Sequence, residues 1–364
     1  MQHKCYFIFL SLILTQTVVW CQDFNFSYYH FTPLTVNPAN AGSFAGSYRI
    51  SGILANKQAA ITARPYQNFT LSVDAPIVRG IRKQDWIGIG IQADLIGSSG
   101  LIFNPDGTAN SGNEQTWNFY RVGAAYHLAL DKKQTRIFTL GVQMSQGSRK
   151  YLRLNQNDAR VNPQTSIIDQ DINRFNNFVQ QGQLTANTSN RDFNVGLLYN
   201  AKQKKSDLRL GVSFEGIFKP SIGFLKDSTS TKTTAKKEKK QFGLNIHGAY
   251  EMVINKQLNI TPGFYYYSIG PANALNINTQ ASYLLDPEKD LRLIAGLGLR
   301  NLRALMFFAG AEFGSYKVGF NFDLDTSSAT AGSAGVGGFE LCATYIGKIY
   351  KKPKVKPVIF CPRL

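Results

Sequence analysis

The sequence predicts an all-β chain, a transmembrane antiparallel β-barrel of about fourteen strands, and three observations carry that expectation. Apolar residues alternate with polar residues or glycines in segment after segment. Past residue 21 no stretch approaches the roughly 18–20 apolar residues that a spanning helix needs. The connections between segments alternate in length, short on one side except for 75–85 and long on the other except for 269–272 and 301–303, as in outer-membrane barrels. Composition agrees. Over 364 residues, 43% hydrophobic and 12% aromatic content is enough to bury a large surface, which excludes a disordered chain, and the 32 glycines, 17 tyrosines and 25 phenylalanines favour strands. The net charge of +17 permits a nucleic-acid or anionic partner, so the placement of the charges decides between them.

Residues 1–21 read as a signal peptide. His3 and Lys4 open a short polar region, and Cys5 to Trp20 is an apolar run too short and wrongly flanked for an anchor. Cleavage after Cys21 puts Val19 and Cys21 at the inspected positions and leaves Gln22 first; acylation of Cys21 is the weaker reading, because bulky Trp20 precedes it. Cys5 and Cys21 leave with the signal. Only Cys342 and Cys361 remain, so no disulfide framework holds the exported chain.

Residues 22–47 form an N-terminal periplasmic or lumenal segment. Its sequence is dense in aromatics (Phe24, Phe26, Tyr28, Tyr29, His30, Phe31 and Phe44), while Pro33 and Pro38 prevent regular strand pairing. Such a segment is too apolar to stand in water, and it is expected to pack inside the barrel or on a partner.

The barrel is expected over 48–347. Its strands are 48–56, 66–74, 86–97, 116–130, 136–151, 191–201, 206–218, 241–252, 257–268, 273–285, 291–300, 304–313, 316–324 and 337–347. In the clearest cases Ile87, Ile89, Ile91, Ala93 and Leu95 oppose Gly88, Gly90, Gln92 and Asp94, and Tyr316, Val318, Phe320 and Phe322 oppose Lys317, Gly319, Asn321 and Asp323. A face of charges, amides and glycines is costly in a dry core but ordinary in a barrel lumen. An even count lets the barrel close with both termini on one side. The lumen phase places Asp94, Glu215, Glu312, Asp323 and Glu340 with Arg121, Arg209, Arg292, Arg300 and Lys317, which are expected to pair. The long connections, including 152–190 and 219–240, are expected to face the exterior. Trp86, Trp117, Tyr126, Tyr199, Tyr265, Tyr267, Tyr283 and Tyr345 lie towards strand ends and read as interfacial rings.

Charge gathers in loops and tail. Lys232, Lys236, Lys237, Lys239 and Lys240 fit a solvated or lipopolysaccharide-facing hairpin, and export argues against a nucleic-acid partner. The tail 348–364 carries Lys351, Lys352, Lys354, Lys356 and Arg363 between Pro353, Pro357 and Pro362. It is read as a periplasmic docking element, because prolines cannot supply ladder donors in lipid. Cys361 is read as incidental, the alternative being a bridge to Cys342 if the tail folds back.

Tyr29–Gly42 (YHFTPLTVNPANAG) and Asn68–Ile77 (NFTLSVDAPI), with the close Phe339–Tyr345 and the basic tail, resemble the PorP/SprF family of type IX secretion and gliding-motility membrane proteins. That family usually has an Arg-x-Gln-Trp element after the first strand, where this chain has Asn56-Lys57-Gln58-Ala59. The resemblance implies an outer-membrane barrel that helps to export, hold or display a surface protein with a C-terminal sorting domain, in contact with periplasmic secretion components. Tyr29, Pro33, Asn37, Pro38, Ala39 and Gly42 are then the candidate partner segment.

Enzyme signals are weak. His30, His127 and His247 have no nucleophile motif beside them, Gly88, Gly90 and Gly97 imitate a phosphate loop only inside a strand, and no ligand spacing suggests a metal or other cofactor. Two classes remain, a non-enzymatic accessory of secretion and, as the alternative, a porin-like diffusion or substrate channel.

Overall fold

The computed structural model describes residues 26–57, 66–80, 82, 84–97, 115–151, 187–221, 239–270, 272–326 and 335–349. The signal segment, the tail cations Lys351, Lys352, Lys354, Lys356 and Arg363, and most of the loops 152–190 and 219–240 lie outside the described residues.

Fourteen strands form one closed antiparallel barrel in which each strand bonds to its neighbours in sequence and the last bonds to the first. They are β1 (Tyr48–Lys57), β2 (Tyr66–Arg79), β3 (Trp86–Gly97), β4 (Gln115–Ala129), β5 (Arg136–Tyr151), β6 (Asn187–Lys202) and β7 (Ser206–Glu215). The second half comprises β8 (Gly243–Val253), β9 (Leu258–Ile269), β10 (Ala272–Asp286), β11 (Leu291–Arg300), β12 (Ala304–Phe313), β13 (Tyr316–Asp325) and β14 (Val336–Gly347). Closure leaves no edge whose amides lipid would strand. Among the described residues no helix is long and apolar enough to cross a membrane.

All fourteen expected strands are present, and their ends differ where backbone chemistry overrides the pattern. β2 continues past residue 74 to Arg79, because the register shifts between Pro76 and Val78 and the ladder absorbs the missing proline donor as a bulge. β7 stops at Glu215 rather than 218, since Gly216 turns the chain with φ +74°. β6 begins at Asn187, four residues before the expected start.

The period-two pattern sorts the side chains as expected. On β3, Ile91 is 59% exposed and the next residue, Gln92, is 4% exposed, so the apolar phase faces lipid and the polar phase faces in. Outward rings gather near both ends of the strands. Phe313, Tyr316 and Tyr345 contact one another at the end bearing the short turns, and the Phe193–Phe218 and Phe214–Phe242 pairs stack at the other. Four of the expected interfacial rings belong elsewhere, one of them Trp117, which shares the inward phase of Arg121 and lies under the Arg149 guanidinium. Tyr265 and Tyr267 are buried in the lumen, and Trp86 stacks on the inward His127, because rings of the N-terminal segment and its turns give them apolar partners there.

That segment runs through the barrel. Its upstream end, Ser27, lies beside Lys57, Arg300, Asp323 and Glu340, all near the long-loop end, and it leaves through the short-turn end, where Gly46 accepts a hydrogen bond from Arg79. Its local structure is a 3-10 turn at Tyr29–Phe31, a four-residue helix α1 (Pro33–Val36) and a second 3-10 turn at Pro38–Asn40. Both prolines begin a turn, where a fixed φ helps and the missing N–H costs nothing. Asn37 caps the second turn, its Oδ1 accepting from Ala39 N at 2.9 Å.

Candidate functional site

The lumen and the segment that fills it are the most elaborate polar and aromatic arrangement among the described residues. At the long-loop end two carboxylates and two cations meet. Lys57 Nζ lies 2.9 Å from Asp323 Oδ2 and 2.7 Å from Glu340 Oε1, and Arg300 Nη1 lies 3.2 Å from Asp323 Oδ2. Glu340 also accepts from the backbone amides of Ser27 (2.8 Å) and Tyr28 (2.7 Å), so a wall carboxylate grips the plug's main chain. Ser27 Oγ donates to Asp323 and accepts from Lys57 and Arg300. Below this clamp Tyr28 and Phe31 pack edge to face, 4.7 Å between centroids, against Phe308, Met306 and Ile53 of the wall.

The middle of the plug is held by amides. Asn37 Nδ2 reaches Leu197 O (2.9 Å), Val212 O (3.2 Å) and His247 Nε2 (3.2 Å), while Gln92 donates to Thr35 Oγ1 (2.8 Å) and Ser213 Oγ to Val36 O (2.8 Å). The Tyr29 ring lies 4.9 Å from that of Tyr265, and its hydroxyl accepts from Asn278 Nδ2.

A second charged clamp closes the short-turn end. Arg49 forks onto Asp74 (2.9 and 2.8 Å) and also donates to Asn40 O, and Asp74 accepts from Gly42 N at 2.7 Å. Trp86 Nε1 donates to Gly42 O, and His127 Nε2 donates to Ala41 O at 2.8 Å. In the adjoining turn Asp85 accepts from the Tyr126 hydroxyl (2.6 Å) and from Ala129 N, and these bonds hold its carboxyl below the usual carboxylate range.

The glycines of the lumen phase now have a reason. A Cβ on Gly141 would run into the backbone nitrogen of Ala39, one on Gly88 into the Ala41 carbonyl oxygen, and one on Gly196 into the Asn37 side chain. The wall is therefore a bed cut to the plug's main chain. Gly141→Ala is expected to weaken plug seating by about 1–3 kcal/mol through overpacking and to raise ion conductance in planar bilayers with the barrel still heat-modifiable. Gly52→Ala, whose nearest atoms lie 3.7 Å away, is the silent control.

Tyr29, Pro33, Asn37, Pro38, Ala39 and Gly42 are thus brought together inside the barrel; all but half-buried Pro33 are buried. The expected lumen pairs form between Asp94 and Arg121 (2.7 Å), Asp323 and Arg300, and Glu312 and Lys317 (2.7 Å). Glu215 and Arg209 use amide partners instead, Asn245 and Asn200, and Arg292 turns to Asp290 at 3.7 Å. The pattern missed Lys57, Arg49 and Asp74, whose inward phase on β1 and β2 was available as a signal. Cys342 is a buried free thiol in the wall behind Tyr28. Among the described residues no group of three or more His, Cys, Asp or Glu side chains stands close enough to hold a metal ion. A cavity of about 460 Å³ remains between plug and wall in the short-turn half, bordered by Tyr29, His30, Val36, Arg209, Glu312 and Lys317.

The family model for the type IX secretion system membrane protein PorP/SprF matches residues 19–345. No curated protein matches the chain. Among solved structures the chain is similar to the TodX deltaS2S3 mutant monoaromatic hydrocarbon channel (9% identity, TM-score 0.49, covering 87% of this chain and 94% of that one). It is also similar to the Pseudomonas putida toluene transporter TodX (10%, 0.47, 86% and 92%) and to CdiB from Escherichia coli (10%, 0.46, 83% and 63%).

Proposed function

The chain belongs to the PorP/SprF family of type IX secretion system membrane proteins, and from that premise we propose that it is a non-enzymatic barrel accessory that helps to export, anchor or display a surface protein with a C-terminal sorting domain. As a family member with a lipid-facing fourteen-strand barrel, it is an outer-membrane protein. The observation that carries the reading is the occupied lumen. A diffusion channel needs an open polar path, whereas here the chain's own residues 26–43 are sewn to the wall from one end to the other. An accessory needs binding surfaces, and a plugged barrel keeps them without leaking.

In this reading 1–21 is removed on export, 22–47 is the plug, 48–347 is the barrel, and 348–364 hangs in the periplasm, where short turns point. Lys351, Lys352, Lys354, Lys356 and Arg363 suit an acidic face on a secretion component. The proline-punctuated tail loses comparatively little entropy on docking. Truncation after Lys348 is expected to leave a heat-modifiable barrel in the outer membrane while cargo export and partner capture are lost. Full export by the truncated chain would reject the docking role.

A further inference from the structure

We propose that the lumen wall is a binding site for a turn-forming polypeptide segment, and that the chain's own N-terminal segment is an exchangeable occupant which a segment of a second protein chain replaces. The inference rests on the accessory reading above and gives it a site.

The wall grips the plug's backbone at both ends and in the middle. Glu340 takes the amides of Ser27 and Tyr28, Ser213 and Arg49 donate to the carbonyls of Val36 and Asn40, and Asp74 and Trp86 take the two backbone groups of Gly42. Every polypeptide carries those groups. Side chains are read as well, the Ser27, Tyr29 and Thr35 hydroxyls, the aromatic pair at Tyr28 and Phe31 and the amide at Asn37. Main-chain bonds of this kind supply affinity, and the side-chain contacts supply preference for one sequence.

Release strands no wall charge. Lys57 bonds directly to both Asp323 and Glu340, and Arg49 to Asp74, so each clamp stays paired when the plug leaves. The plug, in contrast, has only one four-residue helix and two short turns of its own, and depends on the wall to bury its rings. Its tie to the barrel is the short stretch before β1, where Ala45 is exposed. The 460 Å³ cavity beside Tyr29 and Val36 gives an incoming segment room next to the occupant. The replacing segment therefore folds into the same short turns, carries paired aromatics and an amide residue at the plug's spacing, and belongs to the protein the barrel holds.

The test uses the full chain with a protease site inserted between Ala45 and Gly46, folded in detergent and then cut. A fluorescent peptide of residues 26–44 is expected to bind the cut barrel saturably, to be displaced by unlabelled peptide, and to close the conductance that appears when the released plug is washed out. Peptides carrying Asn37→Leu or Phe31→Ala are expected to bind roughly tenfold or more weakly, the loss of one well-made buried contact. These variants leave the barrel unaltered, so folding is not in question. A cut barrel that never takes up peptide, or uptake indifferent to both substitutions, would overturn the proposal. Export is measured on the uncut chain, so failure of exchange and failure of the accessory reading are separate results.

Discussion

Deletion of residues 24–40 is expected to convert a closed barrel into an ion-conducting one, with conductance rising by an order of magnitude or more over the intact chain in planar bilayers. Barrels of about eight strands are filled by their own side chains, and those of about sixteen to eighteen leave an aqueous channel, so fourteen strands enclose more space than inward side chains fill. The plug supplies the difference. Tyr28, Phe31 and Leu34 are almost fully buried in the lumen, and the wall presents Gly319 and Gly90 where their side chains press against it. Their removal exposes a path lined by Asn, Gln, Ser and charged side chains, which water enters readily. The barrel itself should survive, because its ladder is complete without the plug and its clamps pair internally. The heat-modifiable band on gels checks survival, and the bilayer recording checks opening. A folded deletion variant that conducts no better than the intact chain would mean that the plug is not what closes the lumen.

Strand order, number and facing were legible in the sequence because each strand meets two solvents. Lipid outside demands Ile89, Ile91, Leu293 and Leu297, a wet lumen tolerates Gln92, Asp94 and Arg292, and the contrast repeats every second residue. The lumen's dry part was not legible. Met306 and Phe308 of β12 face inward while Leu305 and Phe307 face outward, and Tyr265 and Tyr267 of β9 also point in. A rule that equates apolar with outward fails at these positions because the plug brings its own rings to meet them. Composition announced that the N-terminal segment needs burial, since aromatics at that density cannot stay in water. It gave no indication which strands receive them, because those contacts join residues such as Ser27 and Glu340, 313 positions apart. The motif Tyr29–Gly42, read in the sequence as a candidate partner segment, packs against the barrel's own wall.

Replacement of Lys57 by methionine is expected to destabilise the barrel by about 3–5 kcal/mol, the usual consequence of removing one member of a buried ion cluster. Lys57 is shared by two carboxylates, and the side chains of Asp323 and Glu340 are fully inaccessible to solvent. Without the ammonium, Arg300 remains for Asp323 at 3.2 Å, while Glu340 keeps only the two plug amides. A carboxylate then sits in a narrow, largely dry corner with neutral donors only, and its charge is left without a cation. Lys57→Met should therefore lower the temperature of the heat-modifiability transition, and adding Glu340→Gln should recover part of the loss, since it removes the stranded charge while keeping the shape. The contrast is Glu312→Gln. Its pair with Lys317 spans the same 2.7 Å, yet both side chains are about a third exposed, and water screens what the bond supplies. That substitution is expected to cost no more than about 1 kcal/mol. Equal transitions for Lys57→Met and Glu312→Gln would show that the clamp at the long-loop end is wet, and that the plug's upstream end is held by its rings rather than by Glu340.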